Sequence, residues 1–338
     1  MTQAALPAPF VIPDAAKPGL GVLFIAKHAL GDGTPHAEDG SHAVYHHEVK
    51  SILEGLGLKL TLADTYRVLF EDPKVDFVFP LLNRGGFLNS EMLLPLLCTR
   101  LGIPFLGASP ILRGVSDDKH LSKLVAQSLG VPTLDWAIYR RGQKLDEARL
   151  PMAERYVVKP NASSASWGVS SATDWVSVKS AVESLHDQGH DAIVEPFLSG
   201  DDIEVSIISR NGEPLILPTM IVRQQDPQEL RSYSEKRNLG GAQSYAIEPF
   251  EDDERLPEIH GYARRVMAEF APFDYGRFEM RMDRETGALQ FLEINLNCNL
   301  WSKKTISIAA QRAGWTHVQL IEHILAEALA RNGLIKLA

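Results

Sequence analysis

Features that mark secreted, membrane-spanning and nucleic-acid-binding proteins are scarce in this sequence of 338 residues. It has two cysteines, Cys98 and Cys298, which form no CxxC motif and no disulfide framework, so we expect a cytoplasmic protein. It has no run of about 18 apolar residues and no basic-then-apolar start, which argues against a membrane span and a signal peptide. The net charge of -9 argues against a nucleic-acid partner, because neutralising phosphates needs a basic patch.

What is present is ordinary globular composition, with 45% hydrophobic and 23% charged residues. At roughly 100–200 residues per domain, the length predicts two or three domains. Residues 1–19 contain four prolines and are interpreted as a tail. Strands predicted at 21–26, 58–62, 75–81 and 103–106 then alternate with helices at 44–55 and 90–101. Such alternation predicts a parallel sheet with helices on both faces.

The rest of the chain is predicted to mix helices with antiparallel strands. A helix at 117–129, capped by Asp117, precedes a strand-rich region with one helix near 177–188. Hairpins are predicted at 203–222, with a turn at Asn211-Gly212, and at 277–294. A mobile loop is expected at 224–244, and helices at 256–270 and 317–331. We therefore expect an α/β (α+β) chain with domains at 1–109, 110–198 and 199–338.

A strand predicted at 156–159, within the run YVVKP, ends on Lys159 and is followed by a loop of small residues that leads to Gly168. Small residues let backbone N–H groups approach phosphate oxygens, and the lysine supplies a counter-charge. The pattern indicates a phosphate-binding loop. A plain strand that ends in a serine-rich turn is the alternative.

A second polar cluster falls on two strands predicted to pair. Because residues i and i+2 of a strand share a face, Arg277 lies with Glu279, and Glu293 lies with Asn295. Two carboxylates and an amide oxygen side by side form a hard oxygen site suited to magnesium. The alternative, an amphipathic hairpin with a solvated charged face, fits less well, because the intervening apolar residues need a core.

The run 193–204 places an apolar strand that ends at Glu195 before a turn and three acids, Asp201, Asp202 and Glu204. This order suits a purine wedged against apolar residues, with a carboxylate that reaches the ribose hydroxyls. A connector between two sheets is the alternative.

Together, in this order, these segments resemble the ATP-grasp superfamily and most of all D-alanine:D-alanine ligases. The likeness covers about residues 75–330. The segments that carry it are PLLNRGG at 80–86, LGIPFLGAS at 101–109, Asp118-Lys119, VKP at 158–160, EPFLSG at 195–200, Glu235-Lys236, GRFEMRM at 276–282, FLEIN at 291–295 and Gly314. The resemblance implies a three-domain ATP-grasp fold, with a Rossmann-like N-terminal domain and two α+β domains that clasp ATP.

The resemblance also implies roles for individual residues. For ATP, Lys119 and Lys159 would contact the phosphates and the adenine side, Glu195 and Leu198 would line the adenine hinge, Asp202 would hold the ribose, Ser166 would sit in the phosphate lid, and Lys236 would reach the γ-phosphate. Glu279, Glu293 and Asn295 would hold two Mg²⁺ ions, with Mn²⁺ as a substitute. Arg277 would stabilise the oxyanion of the tetrahedral intermediate. The implied activity is ATP-dependent joining of a small-molecule carboxylate to an amine through an acyl phosphate.

Departures from the family pattern fall in the substrate half. Ala165 and Arg237 replace a serine and a tyrosine of those ligases, so D-alanyl-D-alanine is not the expected product. Kinase-like or carboxylase-like activation and a non-catalytic nucleotide-binding protein remain alternatives. The roles of His42, His46, Arg237, Cys298, Lys303 and Lys304 stay open, as do the substrates and the assembly, for which a homodimer is one option. The histidines are interpreted as substrate-pocket residues rather than zinc ligands.

Overall fold

The computed structural model describes residues 6–82, 90–163, 166–226, 228, 230 and 245–337. Its helices are α1 (His42–Gly55), α2 (Arg67–Phe70), α3 (Leu93–Leu101), α4 (Pro110–Asp117), α5 (Lys119–Ser128), α6 (Trp175–Asp187), α7 (Leu256–Ala268), α8 (Thr305–Arg312) and α9 (His317–Arg331). Its strands are β1 (Gly21–Ile25), β2 (Lys59–Ala63), β3 (Phe77–Pro80), β4 (Ala137–Tyr139), β5 (Tyr156–Pro160), β6 (Ser170–Ala172), β7 (Ala192–Pro196), β8 (Asp201–Arg210), β9 (Glu213–Ile216), β10 (Met220–Gln224), β11 (Tyr245–Pro249), β12 (Tyr275–Met282) and β13 (Leu289–Asn295).

The first sheet is parallel, in the order β2-β1-β3. Successive residues of β1 enter two different cores, because a strand alternates its side chains between the faces. Val22 and Phe24 pack with α1, α8 and α9, while Leu23 and Ile25 pack with α2 and α3. Burial on both faces explains why β1 is a continuous apolar run.

The second sheet is antiparallel, in the order β4-β7-β5-β6, and α6 covers one face. Val158 and Val194 point toward Val178 and Val182 of that helix. The alternate residue of β5, Lys159, therefore lies on the opposite face, which is the face turned toward the candidate site.

The third sheet is also antiparallel and runs β11-β10-β8-β12-β13, with β9 paired to β8. Phe278, Met280 and Ile294 pack with α7 on one face. Between them, the polar residues of β12 and β13 lie on the other face. These three sheets confirm the predicted α/β (α+β) class and the parallel N-terminal sheet, whereas the domain boundaries stay a prediction.

Two local predictions were wrong. Residues 103–106 form no strand, since Phe105 makes only an isolated parallel bridge to Val78. Asp117 does not cap the helix that follows it. It ends α4, and Asp118 caps α5 by accepting a hydrogen bond from the Leu121 backbone N–H at 2.9 Å. The helix breaks at Asp118 because that residue is extended, with ψ at 105°.

The tail prediction was also wrong for the described part of residues 1–19. The backbone N–H of Phe10 donates to Nδ1 of His323 at 2.9 Å, and that of Ile12 donates to Oε1 of Glu322 at 3.1 Å. Ile12 is 1% exposed. Proline-rich sequence without periodicity gives no sign of these partners on α9.

Among the described residues, every helix is too short or too polar to span a lipid bilayer.

Candidate active site

The hairpin of β12 and β13 brings the predicted metal-binding residues together. Arg277 pairs in register with Asn295, and Glu279 pairs with Glu293. The four side chains share the face opposite the core, as the strand alternation predicted. Their role as metal ligands stays a prediction.

Strand β8 adds a third carboxylate, which the sequence placed among the acids after the turn but not in the predicted metal cluster. Glu204 lies in register with Glu279 and is buried. The guanidinium of Arg277 lies 3.2 Å from Glu204 and 2.7 Å from Glu279. Burial alone would lower the pKa of Arg277, but these two carboxylates outweigh burial and raise it. Arg277 is therefore a permanent cation with a fixed orientation.

Glu204, Glu279 and Glu293 lie side by side on β8, β12 and β13, and with Asn295 they form what we call the carboxylate row. The donor atoms of this row suit magnesium. They are carboxylate and amide oxygens, which hard divalent cations prefer. Oδ1 of Asn295 accepts a 3.0 Å hydrogen bond from the Asn297 backbone N–H, which orients the amide. Nζ of Lys119 lies 3.2 Å from Oε2 of Glu293 and also donates to the Ser163 carbonyl. Glu279, Glu293 and Asn295 thus fit a magnesium site in donor chemistry.

A cavity of about 150 Å³ lies between the second and third sheets. Most of the residues predicted to bind ATP line it, although they come from six different elements and loops. They are Lys119, Lys159, Ser166, Glu195, Leu198 and Asp202, with Glu279 and Glu293 at one end. Lys236, Arg237 and Ala165 lie outside the described residues.

Glu195 is buried between two lysines. Nζ of Lys123 lies 2.5 Å from its Oε1, and Nζ of Lys159 forms an ion pair with its Oε2. Burial would raise the pKa of Glu195, but the two cations lower it to about 2. Sequence reasoning missed Lys123. The available signal was its position four residues after Lys119, on the same face of α5.

The acid predicted to hold the ribose is fixed by another residue that the sequence did not single out. Arg281 donates from Nη1 to Oδ1 of Asp202 and from Nε to the Leu198 carbonyl, both at 2.7 Å. Because Arg281 belongs to β12, it ties the chain segment between β7 and β8 to the strand that carries Glu279.

A second cavity, of about 290 Å³, adjoins the first. Lys119, Ser163 and Glu293 line both. Its far wall comes from α1, from the segment before α1 and from the loop after β13. That wall includes Lys27, Asp39, His42, Tyr45, His46, Asn297, Asn299 and Lys304. His42 and His46 thus face a cavity, whereas Lys303 is exposed. Their role as substrate-pocket residues stays a prediction.

Histidine and aspartate side chains cluster behind that wall. One ligand atom each from His28, His36 and Asp39 lies within 4.8 Å of the others, which is compatible with a metal ion. However, Oδ2 of Asp39 already has an ion pair with Lys27 and a 2.9 Å contact with Nε2 of His28. Nδ1 of His36 also accepts from the Glu38 backbone N–H. We therefore interpret this cluster as a polar network.

Cys298 follows the carboxylate row but has no nucleophilic character. It is 1% exposed, and burial raises its pKa to about 12. Since the thiolate is the reactive form, Cys298 is a packing residue.

Comparison with known proteins gives results that agree with this geometry. A protein-family model described as "D-ala D-ala ligase C-terminus" matches residues 125–326. An uncharacterised protein of Sinorhizobium fredii, y4sG, is 29% identical over 247 residues, which are 71% of this chain and 72% of that protein. A D-alanine–D-alanine ligase of Synechococcus sp. is 27% identical over 240 residues, which are 70% of this chain and 72% of that protein.

Two solved structures show the same fold at low sequence identity. The D-alanine–D-alanine ligase of Bacillus anthracis, complexed with ATP, superposes with a TM-score of 0.71 at 20% identity and covers 93% of this chain and 99% of that one. The VanG D-Ala:D-Ser ligase of Enterococcus faecalis gives a TM-score of 0.71 at 14% identity, with 91% and 99% covered.

Proposed function

Because this chain belongs to the D-Ala D-Ala ligase C-terminus family, we propose that it joins a small amino-acid-like carboxylate to an amine through an acyl phosphate. It is an ATP-dependent ligase with an ATP-grasp fold that forms a carbon–nitrogen bond. The acyl phosphate, the substrate class and a product other than D-alanyl-D-alanine are our proposals.

The proposed reaction has two steps. A carboxylate oxygen of the first substrate attacks the γ-phosphorus of ATP, and the bond from that phosphorus to the β-phosphate oxygen breaks to release ADP. The amine of the second substrate then attacks the acyl carbon. The carbon–oxygen bond to the phosphoryl group breaks, inorganic phosphate leaves, and the nitrogen loses a proton. Both steps depend mainly on positioned cations.

We propose that ATP binds in the smaller cavity, between the second and third sheets, and we call it the nucleotide cavity. The residues around it have the chemistry for the first step. Lys119 and Lys159 supply charge for the phosphates, and Ser166 lies in the loop between β5 and β6 that lines the cavity. Glu279, Glu293 and Asn295 would hold magnesium, which neutralises charge on the transferred phosphoryl group when bound. We propose two ions, in keeping with the three donors, and Lys236 as a further γ-phosphate contact.

Arg277 suits the second step. Its guanidinium faces the larger cavity from beside the carboxylate row. A permanent cation there can stabilise the oxyanion that develops when the amine attacks the acyl carbon. Glu204 and Glu279 keep the guanidinium in a single orientation, so little reorganisation is needed during the reaction.

The observation that carries the proposal is the meeting of the two cavities. Lys119 and Glu293 line both of them, at the point where the γ-phosphate would meet a substrate carboxylate. One cavity has the charged side chains that a nucleotide needs, and the other is lined by polar side chains from several helices and strands. This arrangement favours a ligase over a protein that only binds nucleotide.

The wall of the larger cavity supports a product other than D-alanyl-D-alanine. Residues 295–299 read Asn-Leu-Asn-Cys-Asn, and Lys304 and the α1 histidines line the same cavity.

We also propose that the domains divide at about residues 109 and 198, with the second and third domains clasping ATP. We place the protein in the cytoplasm, on its cysteine usage.

Phosphate release tests the proposal. Purified protein is incubated with ATP, Mg²⁺ and pairs of amino acids, and the products are weighed by mass spectrometry. We expect phosphate release that requires both an acid and an amine, with a product mass equal to their sum minus water. Efficient dipeptide formation from D-alanine alone would contradict the proposed specificity. A phosphorylated or carboxylated product would contradict the ligase step.

A further inference from the structure

Lys123 is a charged side chain without access to solvent, and the proposed reaction gives it no role. Its side chain is 0% exposed. Among the described residues that line the nucleotide cavity, Glu195 and Lys159 are present and Lys123 is not. Burying an ammonium group is strongly unfavourable unless a partner compensates for the lost hydration. A buried lysine in this place therefore calls for a function that acts through its partner, Glu195.

The two lysine partners of Glu195 differ in what they can reach. The side chain of Lys159 is 13% exposed and lines the cavity, so it can turn from Glu195 toward an entering phosphate chain. Lys123 sits behind Glu195, on the side away from the cavity, and has no such route. Once Lys159 contacts phosphate, Lys123 alone remains to neutralise Glu195.

Packing confines Lys123 to this position. Its Nζ lies 5.2 Å from the centroid of the Trp136 ring. The indole is itself held, since Nε1 of Trp136 donates to Nδ1 of His120 at 2.8 Å. His120 belongs to α5, the helix that carries Lys123. The ammonium is thus enclosed between its own helix, an anchored aromatic ring and the Glu195 carboxylate.

We propose that Lys123 is a positioning residue for nucleobase selection: as the buried counter-ion of Glu195, it keeps that carboxylate ionised and in place to accept a hydrogen bond from the 6-amino group of adenine. The inference rests on the proposed function, because it needs ATP in this cavity. An ionised carboxylate only accepts hydrogen bonds, so it repels the 6-oxo group of guanine. A protonated carboxyl could donate to that group. Loss of Lys123 therefore relaxes the choice of base.

The test compares Lys123→Met with the wild-type protein for binding of ATP and of GTP, each with Mg²⁺, by isothermal titration calorimetry. Methionine keeps the length of the side chain and removes the charge. We expect the affinity for ATP to fall about tenfold, which is roughly 1.4 kcal/mol, with a much smaller change for GTP. The matched control is Lys179→Met on α6, a half-exposed lysine that should leave both affinities unchanged. A merely structural role would weaken both nucleotides equally, and that result would overturn the inference.

A second variant keeps the test decisive if Lys123→Met does not fold. In Lys123→Met/Glu195→Gln, both charges are removed together, so no unpaired charge is buried. An amide can donate as well as accept, so we expect this variant to have lost most of its preference for ATP over GTP. Wild-type selectivity in the double variant would overturn the inference. Failure of the wild-type protein to bind ATP would instead contradict the proposed function itself.

Discussion

Glu293 is the carboxylate at which several contacts meet: it faces Glu279 across the hairpin, lies near Lys119 and lines both cavities. We predict that Glu293→Ala lowers magnesium-dependent phosphate release at least about 100-fold, because the substituted residue no longer supplies an oxygen to the cation or a partner to Lys119. Phosphate release measured across a range of Mg²⁺ concentrations tests this.

The matched control for that prediction is Glu285→Gln, since Glu285 is exposed in the turn of the same hairpin. It should retain full activity. Circular dichroism should show both variants folded. Activity near the wild-type level in Glu293→Ala would remove Glu293 from the metal site.

His323 makes stability depend on pH. It is buried, its Nδ1 accepts from the Phe10 backbone N–H, and its Nε2 donates to the Ser209 carbonyl, which defines one neutral tautomer. Burial lowers its pKa from 6.5 to about 4. Between pH 6.5 and 4, the unfolded chain binds a proton here that the folded protein does not. The free energy of unfolding therefore decreases as the pH falls through this window, by on the order of 3 kcal/mol.

Urea denaturation at several pH values checks the His323 prediction. The variant His323→Gln keeps one donor and one acceptor but does not titrate. It should therefore show a flatter dependence of stability on pH between 6.5 and 4. Parallel curves for the two proteins would mean that other groups cause the acid sensitivity.

At the scale of single residues, the sequence was enough to place those side chains whose direction follows from strand alternation. Arg277, Glu279, Glu293 and Asn295 lie on one face because the register of the hairpin is fixed by its apolar residues. Apart from its place on the same helix face as Lys119, Lys123 resembles a surface lysine in the sequence, since its burial depends on Trp136 and on a strand about seventy residues later. The role of a buried charge is set by tertiary neighbours, which local patterns do not encode.

At the scale of the elements, the residue directly before β8, Gly200, has no room for a side chain. Gly200 has φ of 142°, and a Cβ there would lie 2.0 Å from the carbonyl oxygen of Met282. We predict that Gly200→Ala destabilises the protein by at least about 3 kcal/mol, because the strain of the backbone adds to the clash. Because Gly200 lies between Leu198 and Asp202, affinity for ATP should fall as well. Denaturant unfolding and ATP titration measure the two effects.

Gly212 provides the matched control for Gly200. It also has positive φ, 78°, but a Cβ there would meet no atom within 4 Å. Gly212→Ala should therefore cost only about 1 kcal/mol, which is the price of a left-handed backbone for alanine. Equal destabilisation by the two substitutions would show that the contact with Met282 is unimportant.

The closing helix and three buried strands were predicted well, and two short helices were not. The closing helix was predicted at 317–331, which are its observed bounds, and strands β1, β5 and β7 were found within two residues. Helices α4 and α8, of eight residues each, were not predicted. Two turns provide too few positions for a periodic pattern, and both helices owe their burial to neighbouring elements.

On the scale of the whole molecule, one buried carboxylate joins distant parts of the chain. Asp274, which precedes β12, accepts from the Gly107 backbone N–H at 2.6 Å and from two nitrogens of Arg331 at 2.9 and 2.8 Å. We predict that Arg331→Met destabilises the protein by about 3–5 kcal/mol, because it leaves an unpaired charge inside. The double variant Arg331→Met/Asp274→Asn should recover part of that loss. Thermal unfolding of the wild type, the single variants Arg331→Met and Asp274→Asn and the double variant tests this, and additive losses would exclude a coupled pair.

The docking of residues 6–12 on α9 has a consequence for the order of events during synthesis. Phe10 and His323 are 313 residues apart, so at about 5–20 residues per second the partner leaves the ribosome roughly 15 to 60 seconds after the segment that needs it. Trp315, which donates to the Pro7 carbonyl, emerges equally late. One apolar face of the first sheet stays uncovered over the same interval, because α8 and α9, which pack against it, have not yet been synthesised. A nascent chain arrested before residue 315 should therefore expose Phe10 and Ile12 to protease and to chaperones, although the sheet beside them has been translated in full.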